Sequence, residues 1–238
     1  MYSSHELNEF SPSRLDGIDI NAEKWYRWSY CEFLKDAGMR INFALKFFKF
    51  SPQLTIATAV VFCHKFFANH SHKQPENERF VIATACLFLA GKVEETPKAL
   101  RDVVKTALFI KYQDDPKRYN KLINDRIFME QQRDVILCAE RSLLHTLGFH
   151  FHAEHPYKHL LRIVKQMSEE KVIPEKNARD LAQVAWNFAN DSAKISVEKE
   201  WWETCTVRQS VREDISNQIL DLYEQTGGST ISTIASRF

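Results

Sequence analysis

Glycine and proline are scarce in this 238-residue chain, 6 and 7 respectively, which works against any fold built on many tight turns. All-β and glycine-rich nucleotide-binding α/β architectures lose favour, and helices become the default. Charge of one sign is lacking too: 32 Lys and Arg stand against 31 Asp and Glu, a formal net charge of +1. That balance supplies no large positive field, so no direct nucleic-acid binding is expected and a protein partner is favoured. No apolar run is long enough to span a bilayer, and no membrane association is expected. The opening Met1-Tyr-Ser-Ser-His-Glu6 is not the charged segment and apolar run of a secretory signal. Cys31, Cys63, Cys86, Cys138 and Cys205 form no C-x-x-C pair and mostly sit in apolar helical runs, as packed, reduced thiols of a cytosolic or nuclear protein would. G-x-x-x-x-G-K-[ST], G-x-G-x-x-G and G-x-S-x-G are absent, which removes the commonest phosphate cradles and the nucleophile elbow.

What is present is globular in composition, 44% hydrophobic and 26% charged, with length for one large core or two ordinary ones. Ser11-Pro-Ser-Arg-Leu-Asp-Gly17 reads as a turn, after which Asp19 or Asn21 caps a helix carrying Trp25, Trp28, Phe33 and Leu34, with Gly38 ending it. Further helices are expected over 55–68, 80–95, 98–112 and 129–148, with the polar stretch 113–125 as a loop. Between the first two, residues 41–50 place Ile41, Ala44, Leu45 and Phe48 on one side and Asn42, Lys46 and Lys49 on the other. That basic amphipathic helix is expected to pack on its own domain rather than on a membrane.

A second helical region opens at His155-Pro-Tyr157, with Leu160, Leu161 and Val164 on one face, and Leu181, Val184, Ala185 and Phe188 continue it. Residues 192–206 offer only Ile195, Val197, Trp201 and Trp202 to a core. A last helix through Ile215, Ile219, Leu220 and Tyr223 precedes a tail, after Gly227-Gly228, that reads as disordered.

Two charges break the helical pattern. Val81, Ala85, Phe88, Leu89 and Lys92 share one side of the third helix, so a lysine ends an apolar stripe. Ile136, Glu140, Leu143 and Leu147 share a side of the fifth, where a carboxylate interrupts another. Burying an unpaired charge is costly. Three arrangements are open: the charges meet each other, they meet polar groups of a partner docked on both helices, or their stems lie on apolar surface with the heads in water.

Five of the nine histidines, His145, His150, His152, His155 and His159, crowd into one stretch, and His155 and His159 have the i, i+4 spacing of zinc ligands. No cysteine or carboxylate at ligand-like spacing completes a site, and Pro156 puts His155 at a helix entrance, so no metal is expected. Glu94 and Glu95 sit beside Lys92, yet neighbours on a helix point about 100° apart, which disfavours joint acid and base work. Recognition rather than catalysis is indicated, with no catalytic residue and no cofactor.

Thr55-Ile-Ala-Thr-Ala-Val-Val-Phe-Cys-His-Lys-Phe-Phe67, Leu87-Phe-Leu-Ala-Gly-Lys-Val-Glu-Glu-Thr-Pro97 and Glu140-Arg-Ser-Leu-Leu-His-Thr-Leu-Gly-Phe149 resemble the successive signatures of a cyclin box. The chain is similar to transcriptional cyclins of the T and K group, nearest the plant T-type members. The likeness spans residues 8–224, carried into the second half by Glu154-His-Pro-Tyr157, Ala185-Trp-Asn-Phe-Ala-Asn-Asp191 and Ser216-Asn-Gln-Ile-Leu-Asp-Leu-Tyr-Glu-Gln225.

This resemblance implies an all-α cyclin fold: a polar segment over 1–21, a complete five-helix N-terminal box over 22–152, an incomplete C-terminal box over 153–226 and a tail over 227–238. It implies a heterodimer in which the first box holds the αC helix of a cyclin-dependent kinase in its active arrangement, while the cyclin performs no chemistry. Lys92 and Glu140 fall on the family's kinase-bonding lysine and glutamate. Leu89, Leu144 and Phe149 fall on the apolar pocket for the kinase helix, with Val93 and Phe151 at its edge. For T-type members the kinase phosphorylates the C-terminal repeats of RNA polymerase II and promotes transcription elongation in the nucleus.

Two departures stand out. Residues 41–51 form an atypical insertion between Arg40 and Pro52, and after Asp191-Ser192 the sequence passes to Glu200-Trp-Trp-Glu203 without the expected central helices of the second box. An alternative splice product or misassigned exons would produce both. Competing readings are a non-activating kinase-binding decoy, a cyclin-fold factor contacting DNA, which the near-neutral charge disfavours, and a metal-dependent enzyme.

Overall fold

In the computed structural model, which describes residues 10–41, 52–171 and 174–192, every regular element is helical. The amphipathic segment beyond Ile41, Trp201, Trp202, Cys205, the last helix and the tail all lie outside the described residues. The chain divides into two units, Met1–Glu154 and His155–Phe238.

The first unit begins where a turn was expected. Ser11 Oγ accepts from the Arg14 backbone N–H at 3.2 Å, and Pro12 takes the first helical position, so a short helix forms, α1 (Pro12–Leu15). Asp19 Oδ2 accepts from the Asn21 N–H at 2.8 Å and starts α2 (Ile20–Ile41). There follow α3 (Gln53–Phe67), a 3-10 turn (Pro75–Asn77), α4 (Arg79–Val93), α5 (Leu100–Lys111), α6 (Pro116–Asn124) and α7 (Arg126–Leu147).

Helix α4 is the hub, packed against α2, α3, α5 and α7. Every residue from Ile82 through Leu87 is buried, so the single stripe expected on this helix was too narrow: an element surrounded by helices is apolar all round. The other helices supply one face each, such as Tyr30 and Leu34 from α2, Phe62 and Phe66 from α3, and Leu143 from α7.

Gly38 does not end α2. It is buried inside the helix, and a Cβ there would overlap Ile56 Cγ1 and lie 2.7 Å from Ile56 Cδ1. The glycine lets α2 and α3 approach closely.

The expected loop over 113–125 is mostly helix. Asp115 Oδ1 accepts from the Arg118 N–H at 3.0 Å with Pro116 at the first position, which nucleates α6 although α6 buries no residue. Asp125 Oδ1 then accepts from the Phe128 N–H at 3.1 Å and starts α7 earlier than Met129. Tyr119 holds α6 edge-on to Phe109 of α5, ring centres 5.5 Å apart.

Cys31, Cys63 and Cys86 are buried free thiols, whereas Cys138 is exposed on α7. Burial, then the neighbouring Cys86 and Cys31, push the Cys63 thiol well up, which makes it a poor nucleophile.

In the second unit α8 (Tyr157–Glu169) and α9 (Glu175–Ser192) run antiparallel. Tyr157 stacks on Trp186 at 4.2 Å and its hydroxyl donates to Asn190 Oδ1 at 2.7 Å. Burial pushes the Tyr157 phenol up to about 12. Val164 is buried, but Leu161 and Phe188 are exposed rather than on a covered face, because a helix pair shelters only the stripe between its members. No described helix is long and apolar enough to cross a membrane.

Candidate functional site

The C-terminus of α4 fixes the position of Lys92. Glu95 takes a left-handed conformation, φ 55°, the Thr96 N–H donates to Gly91 O at 2.8 Å, and the Glu95 N–H to Lys92 O at 3.4 Å. Together they close the helix with a Schellman motif. Thr58 Oγ1 donates to Glu94 Oε1 at 2.6 Å, and Thr55 Oγ1 lies 3.0 Å from Thr96 Oγ1, tying this terminus to α3. Glu94 is thus spent on structure, and Glu95 on the turn.

Lys92, in the last turn of α4, reaches across to α7, where Nζ donates to Glu140 Oε1 at 2.7 Å. The arrangement in which the two charges meet each other is the one realised. Shelter is unequal: 45% of the Lys92 side chain is exposed against 9% of Glu140. A favourable lysine position near a helix C-terminus adds to this, and Nζ also lies 4.0 Å above the centre of the Phe88 ring.

Apolar residues lie near the pair along both helices. On α7, Leu144 follows Glu140 by one turn and is half-buried, and Leu137 precedes it by three residues and is exposed. Val93 is half-buried beside Lys92, whereas Leu89, three residues before it, is buried. Gly148, φ 56°, closes α7, and Phe149 follows at φ 61°. A bulky residue there is strained by about 1–3 kcal/mol, yet Phe149 is 64% exposed. Phe151 backs it edge-on at 5.9 Å and lies 6.2 Å from Phe62 of the core. A strained backbone that points a phenylalanine at solvent is a geometry suited to gripping another protein.

Phe88 and Leu137 were not singled out as site residues by the sequence. Their only signal is position: Phe88 is one turn before Lys92 and Leu137 shares the Glu140 face.

The histidines make local contacts. His150 Nδ1 is 2.8 Å from Gly148 O, His152 Nε2 is 3.6 Å from Glu154 Oε1, His155 stacks on Tyr157, and His159 Nδ1 is 3.5 Å from Arg162. Among the described residues no three His, Cys, Asp or Glu side chains come together as metal ligands.

The family model for the cyclin N-terminal domain matches residues 23–152. The chain belongs to the cyclin family. It is 41% identical to Cyclin-T1-4 of Arabidopsis thaliana, covering 94% of this chain and 43% of that relative. Against Cyclin-T1-3 of Oryza sativa subsp. japonica the identity is 40%, with 94% and 48% covered. Against Cyclin-K of Homo sapiens it is 33%, with 90% and 39% covered. This cyclin therefore resembles the transcriptional T and K group and spans under half the length of these three relatives. Its helices also match a chain in the crystal structure of the yeast RNA Pol II CTD kinase CTDK-1 complex, at TM-score 0.56 and 21% identity over 75% of this chain and 50% of that one. The likeness establishes an all-α cyclin fold.

Proposed function

We propose that this cyclin is the regulatory subunit of a heterodimer with a cyclin-dependent kinase, and that it activates the kinase toward the C-terminal repeats of RNA polymerase II. The observation that carries the proposal is the Lys92–Glu140 ion pair, 2.7 Å long, with half-buried Val93 and Leu144 near it along the two helices and the exposed Phe149 just beyond the end of α7. Apolar anchors there supply affinity and the charged pair sets register. Burying Phe149 on a partner is worth about 1.5–3 kcal/mol. The T- and K-type relatives and the kinase complex with the similar fold support this partner class and substrate. The cyclin performs no chemistry itself, and the role places it in the nucleus, promoting transcription elongation.

The complete box runs over 22–152 with the insertion at 41–51, followed by an incomplete box over 153–226. In support, the alignment to Cyclin-T1-4 has 253 positions, more than the chain has residues, so stretches of the relative have no counterpart here. This favours one second reading, a decoy that holds the kinase without activating it. Co-expression with a transcriptional cyclin-dependent kinase and phosphorylation of a polymerase-repeat peptide separate the two. Binding with activity is expected; binding without activity establishes the decoy, and no binding by folded protein overturns both.

A further inference from the structure

The chain is near neutral as a whole, but one corner of its first unit is not. Residues 105–126 carry six Lys and Arg against three Asp and no Glu, and they form the end of α5, the whole of α6 and the start of α7. Arg126, where α7 begins, lies about 21 Å along the helix from Glu140, so this corner is separate from the face proposed for the kinase.

Tyr112 organises the cations. Its ring, just after α5, lies 4.9 Å from the Arg118 guanidinium carbon and 5.9 Å from Lys111 Nζ, so one aromatic holds two like charges at short range. The pitch of α6 adds to them. Lys117, Arg118 and Lys121 fall within about 100° of its circumference, whereas Tyr119, Leu122 and Ile123 form its half-buried side. Lys111, Lys117, Arg118 and Lys121 are all exposed, and among the described residues none of the four forms an ion pair with a carboxylate.

The neighbouring carboxylates do not cancel this charge. Asp115 and Asp125 each accept a backbone N–H as the caps of α6 and α7, so their charge is set against the helix N-termini, and Asp114 is left. On its other side Lys111 lines a groove with Glu32, Asp36 and Glu78. Asp36 is taken by Arg40 at 2.7 Å, and Glu78 Oε2 accepts from the Val81 N–H at 2.8 Å as the cap of α4. A local positive field remains, of the kind that draws an anionic partner.

The rings narrow the kind of anion. Single-stranded nucleic acid stacks its bases on open aromatic faces, but here Tyr112 lies against Arg118 and Lys111, and Phe109 against Arg40 at 4.9 Å and Tyr119 at 5.5 Å. A continuous phosphate backbone would also pass Asp114 and Asp115, which a compact charge avoids. A phosphate ester brings about two negative charges to one point. The Arg118 guanidinium suits bidentate contact with it, and Lys111 adds a movable point charge.

We propose that the α5–α6 corner docks a phosphorylated segment of another protein, with Arg118 and Lys111 holding one phosphate beside the Tyr112 ring and Lys117 and Lys121 holding a neighbouring negative group.

The test follows the anisotropy of a labelled Gly–Ser peptide carrying two phosphoserines as the full chain is added at physiological salt, beside its unphosphorylated twin and an oligouridylate of equal charge. The phosphopeptide binds saturably with a Kd below about 1 mM, and the twin and the oligouridylate bind about tenfold or more weakly. Lys111→Gln with Arg118→Gln weakens the phosphopeptide about tenfold or more, whereas Lys24→Gln with Lys158→Gln, which removes the same charge elsewhere, leaves it within about twofold. Arg118→Lys, which keeps charge but loses the guanidinium fork, weakens it about threefold. All these positions are exposed, and thermal melts check that each variant is folded. No saturable binding of the phosphopeptide by about 1 mM, equal affinity for the twin, or equal affinities for the two double variants overturns the proposal. Tighter binding of the oligouridylate overturns it too, by assigning the corner to RNA.

Discussion

Lys92 Nζ lies 2.7 Å from Glu140 Oε1, and the lysine is half open to solvent while the carboxylate is closed off. The two ends of this pair are therefore unequal in what their loss leaves behind. Lys92→Met strands a buried carboxylate and lowers stability by about 1–3 kcal/mol. Glu140→Gln keeps an acceptor, and the freed lysine extends into water, so its cost stays under about 1 kcal/mol. Urea midpoints measure both, and the opposite order would refute the assignment of shelter.

Gly38→Ala gains about 0.5–1 kcal/mol of helix propensity, but the new methyl meets Ile56, a β-branched side chain with little freedom at χ1. Overpacking costs about 1–3 kcal/mol, so the net effect is a loss. In an Ile56→Ala background the same change becomes neutral or stabilising. A double-mutant cycle showing no coupling would remove Gly38 from the α2–α3 contact.

Glu95 occupies the left-handed position that closes α4. Glycine adopts that conformation without a Cβ penalty, so Glu95→Gly raises stability by about 1 kcal/mol. A lower melting temperature would show that the glutamate side chain contributes something the turn geometry does not require.

His72 and His70 are both lowered, His72 to about 3 and each chiefly by burial. A folded-state value below the unfolded 6.5 means that the unfolded chain takes up the proton first. The histidine contribution is thus complete above about pH 6.5 and declines as pH falls toward 3, by up to about 1.4 kcal/mol per pH unit for His72. Denaturation between pH 7.5 and 4.5 checks this, and His72→Phe should flatten the profile.

Lys92 and Glu140 were legible because a charge inside an apolar stripe is a local signal, visible without knowing what lies opposite. Phe88 and Leu137 carry no such mark, since an apolar residue on an apolar face reads as core until the neighbours are placed. Gly38 was misread for the same reason: a buried close approach and a helix stop use the same residue. Helix α6 was hidden by polar composition, although Asp115-Pro116 is a helix start that capping chemistry alone could have supplied. The left-handed Phe149 depends on how Gly148 ends α7, a geometry that spacing does not encode.

The most direct test of the proposed docking face is the affinity of a purified transcriptional cyclin-dependent kinase for this cyclin and for its Phe149→Ala variant. Phe149 is largely exposed, so the variant should fold normally, and a docking anchor of this kind is worth about 2 kcal/mol or more on truncation. The account predicts a loss in affinity of about thirtyfold, with a comparable loss for the Lys92→Ala, Glu140→Ala double variant. Equal affinity for wild type and both folded variants would contradict it.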